Sequence, residues 1–469
     1  MTVKKLEQHI CHAANLASKW LSGAWSPYRS WSTSATSNTS VTDLRLVPGS
    51  QGTLLFTLSK SVWSTITLWR LEPVTSTSQR DFAFHRCCEW SPRGAIFSRF
   101  TVNSNPGSKA KLAVSALNHG EHTVELLSLE VDEKSGCLSL HQILSIPATF
   151  KPITLEGDLL AMSDDIDETI IFNWKTSAYA TLKIIQGDQD VSQRDTCIQV
   201  VFAPQSILVV RSRSVHLFPS PILKVQEDQP LHYQPIGRHS FGWVDSVSVR
   251  ISSTTDRHKS HTPTAPERSS PLSILVRAET DDPWASDILS IEHYTLFPND
   301  NHTADSLEVT RPNTTESTMT SSTQPSIAYI FPPVLTSRVT SRRGSLRCAE
   351  IILGRLGTAL WIQPKDRSAA GLYWYSDDAP PVGPQNMVRS EHESLVASVF
   401  PGSLFPRLPD PDYPENVEFR DARVDLSRPE GKVIFRNEPG HSWSAIDYDE
   451  DVGRIVLGTA FGNVTILDL

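Results

Sequence analysis

Seven times along the chain an apolar run, a tight turn and a second apolar run follow one another. No other feature constrains the fold as much. The copies begin at residues 53, 111, 157, 205, 271, 350 and 453. The first pairs Thr53-Leu-Leu-Phe-Thr-Leu with Thr65-Ile-Thr-Leu-Trp-Arg-Leu71, and the last runs from Gly453 to Leu469. In that last copy Ile455 and Leu457 point to one face of a strand and Val456 to the other, and Val464 and Ile466 alternate with Leu467. Gly462-Asn463 is expected to supply the positive φ of a two-residue hairpin turn. A hairpin with two apolar faces needs a sheet on each side, which is the situation of a propeller blade. A four-stranded blade takes roughly 40–50 residues. The first four copies are spaced accordingly, and the later gaps carry insertions.

The insertions show by composition. Residues 252–270 and 299–324 are rich in Ser, Thr, Asn and Pro, and 401–432 is rich in Pro and charge. Such segments bury too little apolar surface to order themselves, so they read as disordered loops on blades. Before the first copy, Leu6, Ile10, Ala13, Ala17, Trp20 and Leu21 recur at helical spacing, and Ser22-Gly23 stops the pattern. The expected architecture is all-β: a seven-bladed WD-like β-propeller over residues 28–469, preceded by one short N-terminal helix within 1–22. Residues 28–36, strand-like and otherwise unassigned, are expected to pair antiparallel with 464–469 as the outer strand of the last blade. That clasp closes an edge which propellers avoid leaving open.

Composition narrows the function. The net charge is −9 with no basic stripe, so nucleic acid is not an expected partner. There is no run of about 18 apolar residues, so no membrane span is expected. With no apolar leader either, the expected location is cytoplasmic or nuclear. Six cysteines without a CxxC pair suggest neither a disulfide framework nor zinc. Vicinal Cys87 and Cys88 are expected on opposite faces of a strand. Asp164-Asp-Ile-Asp-Glu168 lacks the glycine and distant glutamate of a calcium loop and reads as a hairpin tip. Gly354-Arg-Leu-Gly357 lacks the Lys-Ser/Thr of a phosphate loop, and no Gly-x-Ser-x-Gly elbow occurs. No catalytic residue, cofactor or metal is expected. Trp25, Trp31 and Trp284 lie in loop-like stretches and are the candidate partner anchors. Arg342-Arg-Gly-Ser345 has basic spacing that some kinases accept, which makes Ser345 a candidate phosphorylation site.

Four stretches resemble the propeller half of fungal F-box proteins, the mushroom-type family especially. They are Asp43-Leu-Arg-Leu-Val-Pro-Gly49, Leu58 to Trp69, Cys87-Cys-Glu-Trp-Ser-Pro-Arg-Gly-Ala-Ile-Phe97 and Tyr448 to Thr459. The resemblance implies a protein-interaction module that recognises substrates for an SCF-type ubiquitin ligase. Residues 1–21 resemble only the helix that follows an F-box. Binding to the SCF adaptor is therefore expected only when an F-box is supplied upstream. No blade ends in Trp-Asp, so the Asp-His-Ser/Thr-Trp network of WD repeats is not expected. Two rival readings are a hydrolase or lyase with its site at the central channel and a non-functional remnant of a duplicated receptor.

Overall fold

The computed structural model describes residues 3–34, 39–73, 82–131, 137–184, 195–225, 232–252, 270–278, 288–299, 327–365, 392–401 and 429–469. The three expected insertions fall almost wholly outside these residues, as does Trp284. Helix α1 (Val3–Ser22) and strand β1 (Arg29–Ser34) come first. Seven sheets follow, and together they form a seven-bladed β-propeller. No helix among the described residues is long and apolar enough to cross a membrane.

Blade 1 is β2 (Ser40–Leu46), β3 (Leu54–Lys60), β4 (Ser64–Pro73) and β5 (Phe82–Trp90). Blade 2 is β6 (Ile96–Val102), β7 (Ala110–Asn118), β8 (Glu121–Val131) and β9 (Leu138–Pro147). Blade 3 holds β10 (Lys151–Glu156), β11 (Leu159–Ser163), β12 (Glu168–Asn173) and β13 (Ala178–Lys183). Blade 4 is β14 (Cys197–Ala203), β15 (Ser206–Arg211), β16 (Ser214–Pro219) and β18 (Gly237–Ser240), with β17 (His232–Tyr233) leaving it for blade 3. Blade 5 is β19 (Val244–Ile251), β20 (Leu272–Ala278), β21 (Ile288–Leu296) and β22 (Val334–Arg342). Blade 6 is β23 (Ile351–Leu353), β24 (Thr358–Gln363), β25 (Ser394–Val399) and β26 (Lys432–Arg436). Blade 7 is β27 (Trp443–Asp449), β28 (Arg454–Thr459) and β29 (Asn463–Asp468), completed by β1.

The two-sided apolar pattern explains the ring. Seven hydrophobic clusters fill the seven spaces between neighbouring blades. Ile455, Leu457 and Leu467 enter the cluster shared with blade 6, whereas Val456, Val464 and Ile466 enter the one shared with blade 1. The clasp forms as the sequence predicts: β1 runs antiparallel to β29 with Arg29 opposite Asp468 and Ser34 opposite Asn463. Helix α1 folds under the ring and inserts Leu16 and Trp20 between blades 6 and 7.

Four local expectations are corrected. In the last turn only Gly462 takes positive φ, at 85°, while Asn463 is already paired in β29. Cys87 and Cys88 do not straddle the strand. A bulge opposite Leu68/Trp69 makes Cys87 the extra residue, and both thiols pack against the same cluster of blades 1 and 2. The hairpin read at 350–362 is the first and second strand of blade 6, not the second and third, because β25 follows a long excursion. Blade 3 has five strands: the connection from β16 to β18 bridges Lys224 to Tyr179 and lays β17 parallel to β13, covering that edge before returning.

The first strands form the inner ring. In six of the seven blades they carry a register shift against the second strand at the same place, Val41/Asp43 in blade 1 and Phe97/Arg99 in blade 2 among them. Their free edges are satisfied by side chains from a neighbouring blade. Gln199 pairs through both amide atoms with the Val249 backbone, and Thr154 Oγ1 donates to Val200 O. Ser246 and Ser248 accept from the amides of Ile351 and Leu353. Asp447 accepts from the Leu46 amide, and Ser444 donates to Val41 O. Buried arginines add further links. Arg211, fully enclosed in blade 4, donates to Asp195 O at 2.7 Å and to Ser163 Oγ and Glu168 O of blade 3. Of the WD network one limb is present: Trp69 Nε1 donates to Thr57 Oγ1 at 2.9 Å.

Candidate partner-binding face

The two faces of the ring differ. One, the α1 face, carries the turns between first and second strands. There His12 Nε2 lies 3.3 Å from Val452 O, and Leu16 sits against Gly453. The other, the crossover face, carries the turns between second and third strands and the connections from blade to blade. These two loop sets brace each other. In blade 1 the Ser64 amide donates to Ala95 O, and Ser64 Oγ accepts from the Phe97 amide at 2.9 Å. In blade 3, Asp164 Oδ1 accepts from the amides of Ile166, Asp167 and Glu168, so this hairpin tip is a capped turn held by Arg211.

Hairpin tips are ordinarily polar. Several on the crossover face are apolar and exposed: Val62 at 83 % and Trp63 at 43 % in blade 1, Phe461 at 58 % in blade 7, and Ile166 in blade 3. Ile96 and Trp243, at the starts of blades 2 and 5, are exposed on the same face. Blades 7, 1 and 2 are consecutive, so Phe461, Val62, Trp63 and Ile96 occupy one sector. The rings are positioned, not loose. Phe461 lies 5.1 Å from the His441 imidazole, and the Arg213 guanidinium stacks 4.5 Å above Trp243. Aromatics held this way lose little side-chain freedom on binding, which is what an interface hot spot requires.

The axis carries a second polar constellation. Arg45 donates to both carboxylate oxygens of Glu350, to Leu44 O and to Ile446 O, and lies 3.3 Å from Asp43. Asp447 approaches from blade 7, and Arg99 reaches from blade 2 to Cys197 O and Ile198 O of blade 4. Burial pushes the Asp43 carboxyl up to about 7 against the pull of Arg45, with Glu350 adding to the rise. Burial likewise raises Asp447. Asp43 and Glu350 thus share Arg45, and Asp447 is tied to the Leu46 amide. No group of three or more metal-ligating side chains is found among the described residues.

The structure separates the sequence-predicted residues. Trp25 is buried at 4 %: its ring lies 5.5 Å from Trp20 and its Nε1 donates to Trp20 O, so it belongs to the core and not to a surface. The loop containing it is short and folds α1 back onto blades 6 and 7. Trp31 is half-buried in β1 and packs against the cluster of blades 7 and 1. Ser345 is exposed in the connection between β22 and β23. Sequence reasoning passed over Trp63, Phe461 and Trp243. The available signal was an apolar residue at a turn, where a polar one is expected.

No protein-family model matches the chain, and no curated protein matches it. Solved structures do. A chain of an active polycomb repressive complex 2 in the basal state matches at 11 % identity and TM-score 0.50, over 94 % of this chain and 97 % of that one. A humanized mutant of the Chaetomium thermophilum polycomb repressive complex 2 gives the same figures: 11 % identity, TM-score 0.50, 94 % and 97 % coverage. Chaetomium thermophilum Sqt1 bound to the N-terminus of ribosomal protein L10 matches at 12 % identity and TM-score 0.42, over 92 % of this chain and 84 % of that one. At such identity the likeness to the two polycomb-complex chains shows the fold alone.

Proposed function

We propose that this chain is a protein-interaction propeller that captures its partner on the crossover face. The observation that carries the reading is the set of exposed apolar turn tips, Val62, Trp63, Ile96 and Phe461, on one sector of a rigid ring. Rigid blades presenting variable loops are how such scaffolds bind. The resemblance over residues 43–97 and 441–469 supports a finer role, substrate receptor of an SCF-type ubiquitin ligase in the cytoplasm or nucleus. Docking on the ligase adaptor then belongs to an F-box and not to the propeller.

The test is affinity purification with the wild-type chain and with Trp63→Asp/Phe461→Asp. The double variant should lose its co-purifying proteins, by more than about tenfold if these rings are hot spots. Ile222→Asp, an exposed apolar residue in the β16–β18 connection, should lose none. Retention of every partner by the double variant refutes the assignment of this face. Fusing an F-box upstream should bring in the adaptor subunit, and strong adaptor binding by the 469-residue chain alone refutes the division of labour.

A second reading rests on the axial carboxylates. A carboxyl such as Asp43, exchanging its proton near neutral pH, suits general acid–base catalysis at a channel. Its oxygens face Arg45 and the Leu44 amide, which favours a part in holding blades 1, 6 and 7 together.

A further inference from the structure

Ser345 lies in the connection of residues 343–350, on the crossover face between blades 5 and 6. No described residue of that connection belongs to a helix or strand. Its flanks are fixed. A Cβ on Gly344 would come within 2.9 Å of the Pro364 ring, Leu346 packs against the cluster of blades 6 and 7, and Arg277 donates to Ala349 O. Ser345 itself is exposed between these fixed neighbours. Four cationic residues stand close to it along the chain or across the fold: Arg342 ends β22, Arg343 and Arg347 lie in the connection, and Lys365 follows β24 with its carbonyl oxygen 3.5 Å from where a Cβ on Gly344 would stand. Of the carboxylates nearby, Glu350 is held by Arg45, and Glu393 accepts from the Trp443 amide and Asn437 and also feels the charge of Lys365. The Nε of Arg343 is enclosed without a hydrogen-bond acceptor. An enclosed guanidinium nitrogen lacking its acceptor is costly.

We propose that Ser345 is a phosphorylation site for a protein kinase that reads arginines two and three residues before the acceptor, and that the phosphate is held by the surrounding cations. The γ-phosphoryl group of ATP passes to Ser345 Oγ. The Oγ–phosphorus bond forms, the bond to the ADP oxygen breaks, and the hydroxyl proton leaves to the kinase's catalytic base. The product carries nearly two negative charges and three acceptor oxygens among Arg342, Arg343, Arg347 and Lys365.

The folded full-length chain, incubated with ATP and the catalytic subunit of a basophilic serine kinase, tests this. Peptide mapping by mass spectrometry should place phosphate on Ser345, with loss of that incorporation in Ser345→Ala and a reduced rate in Arg342→Ala. Phosphorus NMR should put the second ionisation of the phosphoserine below its ordinary value of about 6, because the cations favour the dianion. The proposal is overturned if Ser345 stays unmodified while other sites react, or if it reacts only after denaturation. An ionisation at or above the ordinary value overturns the pairing.

Discussion

Removing residues 1–34 takes away α1 and β1 together and leaves the last blade with three strands. The loss can be worked from the side chains involved. Leu16, Trp20 and Trp25 are 7 %, 2 % and 4 % exposed and pack between blades 6 and 7, and Trp31 packs between blades 7 and 1. Burying one leucine is worth about 1.5–3 kcal/mol, and truncating each fully buried tryptophan costs about 3–5 kcal/mol. The sum for Leu16, Trp20 and Trp25 is roughly 8–13 kcal/mol before any ladder hydrogen bond is counted. Whole-domain stability is about 5–15 kcal/mol. The deletion is therefore expected to unfold blade 7 and expose the adjoining faces of blades 6 and 1. Trp20→Ala isolates part of the effect and should cost about 3–5 kcal/mol. Equilibrium urea unfolding followed by tryptophan fluorescence and far-UV circular dichroism reads both. If Trp20→Ala costs less than about 1 kcal/mol, or the deletion leaves the unfolding midpoint where it was, the helix and clasp are not part of the ring's stability.

Other perturbations separate the remaining interactions. Asp43 keeps its proton to about pH 7 in the folded chain but only to about 3.8 when unfolded, so its contribution to stability falls as pH rises between those values. Asp43→Asn should therefore gain stability relative to wild type as pH rises toward 7; a difference independent of pH refutes this. His293 shows the opposite sign. Burial lowers it to about 4, so its share is intact above about pH 6.5 and lost on acidification, about 2 kcal/mol by pH 5. His293→Gln should flatten the acid side of the stability profile, and an unchanged slope from pH 7 to 5 speaks against a buried neutral imidazole. Arg211→Met leaves the carbonyls of Asp195 and Glu168 without their donor and should cost about 3–5 kcal/mol in urea unfolding, whereas a cost under about 1 kcal/mol means water replaces the guanidinium.

The blades were legible because their second and third strands carry apolar residues on both faces. That pattern stands in the chain at Ile455, Val456 and Leu457 and needs no knowledge of what lies opposite. The clasp was legible for a related reason: a final blade with three strands implies an unsatisfied edge, and residues 28–36 were the unassigned strand. Blade 6 was read one strand early because its first strand, Ile351–Leu353, and its second, Thr358–Gln363, are as close in sequence as a second and third strand elsewhere. Trp25 was misplaced because a residue after a helix stop reads as loop, while its burial depends on where α1 lands. The axial cluster was not legible. Asp43, Arg45, Arg99, Glu350 and Asp447 belong to four blades, and only ring geometry brings them together. The exposed tips were visible in the chain but lacked a face until the blades were ordered.

The clasp has a consequence in time. Ser32 and Thr465 meet through their hydroxyls at 2.8 Å although 433 residues separate them. A ribosome adding about 5–20 residues per second needs roughly 20–90 s to make that interval. Through that period β1 has no strand to pair with, and six blades can be complete while the ring stays open. The newborn chain carries an unpaired strand bearing Trp31 at one end and an uncovered blade face at the other. Two such chains on one message each offer the strand the other lacks, so exchange between neighbours competes with closure. A circularly permuted chain with β1 joined directly after β29 removes the wait, since the last blade is then made as one continuous hairpin series.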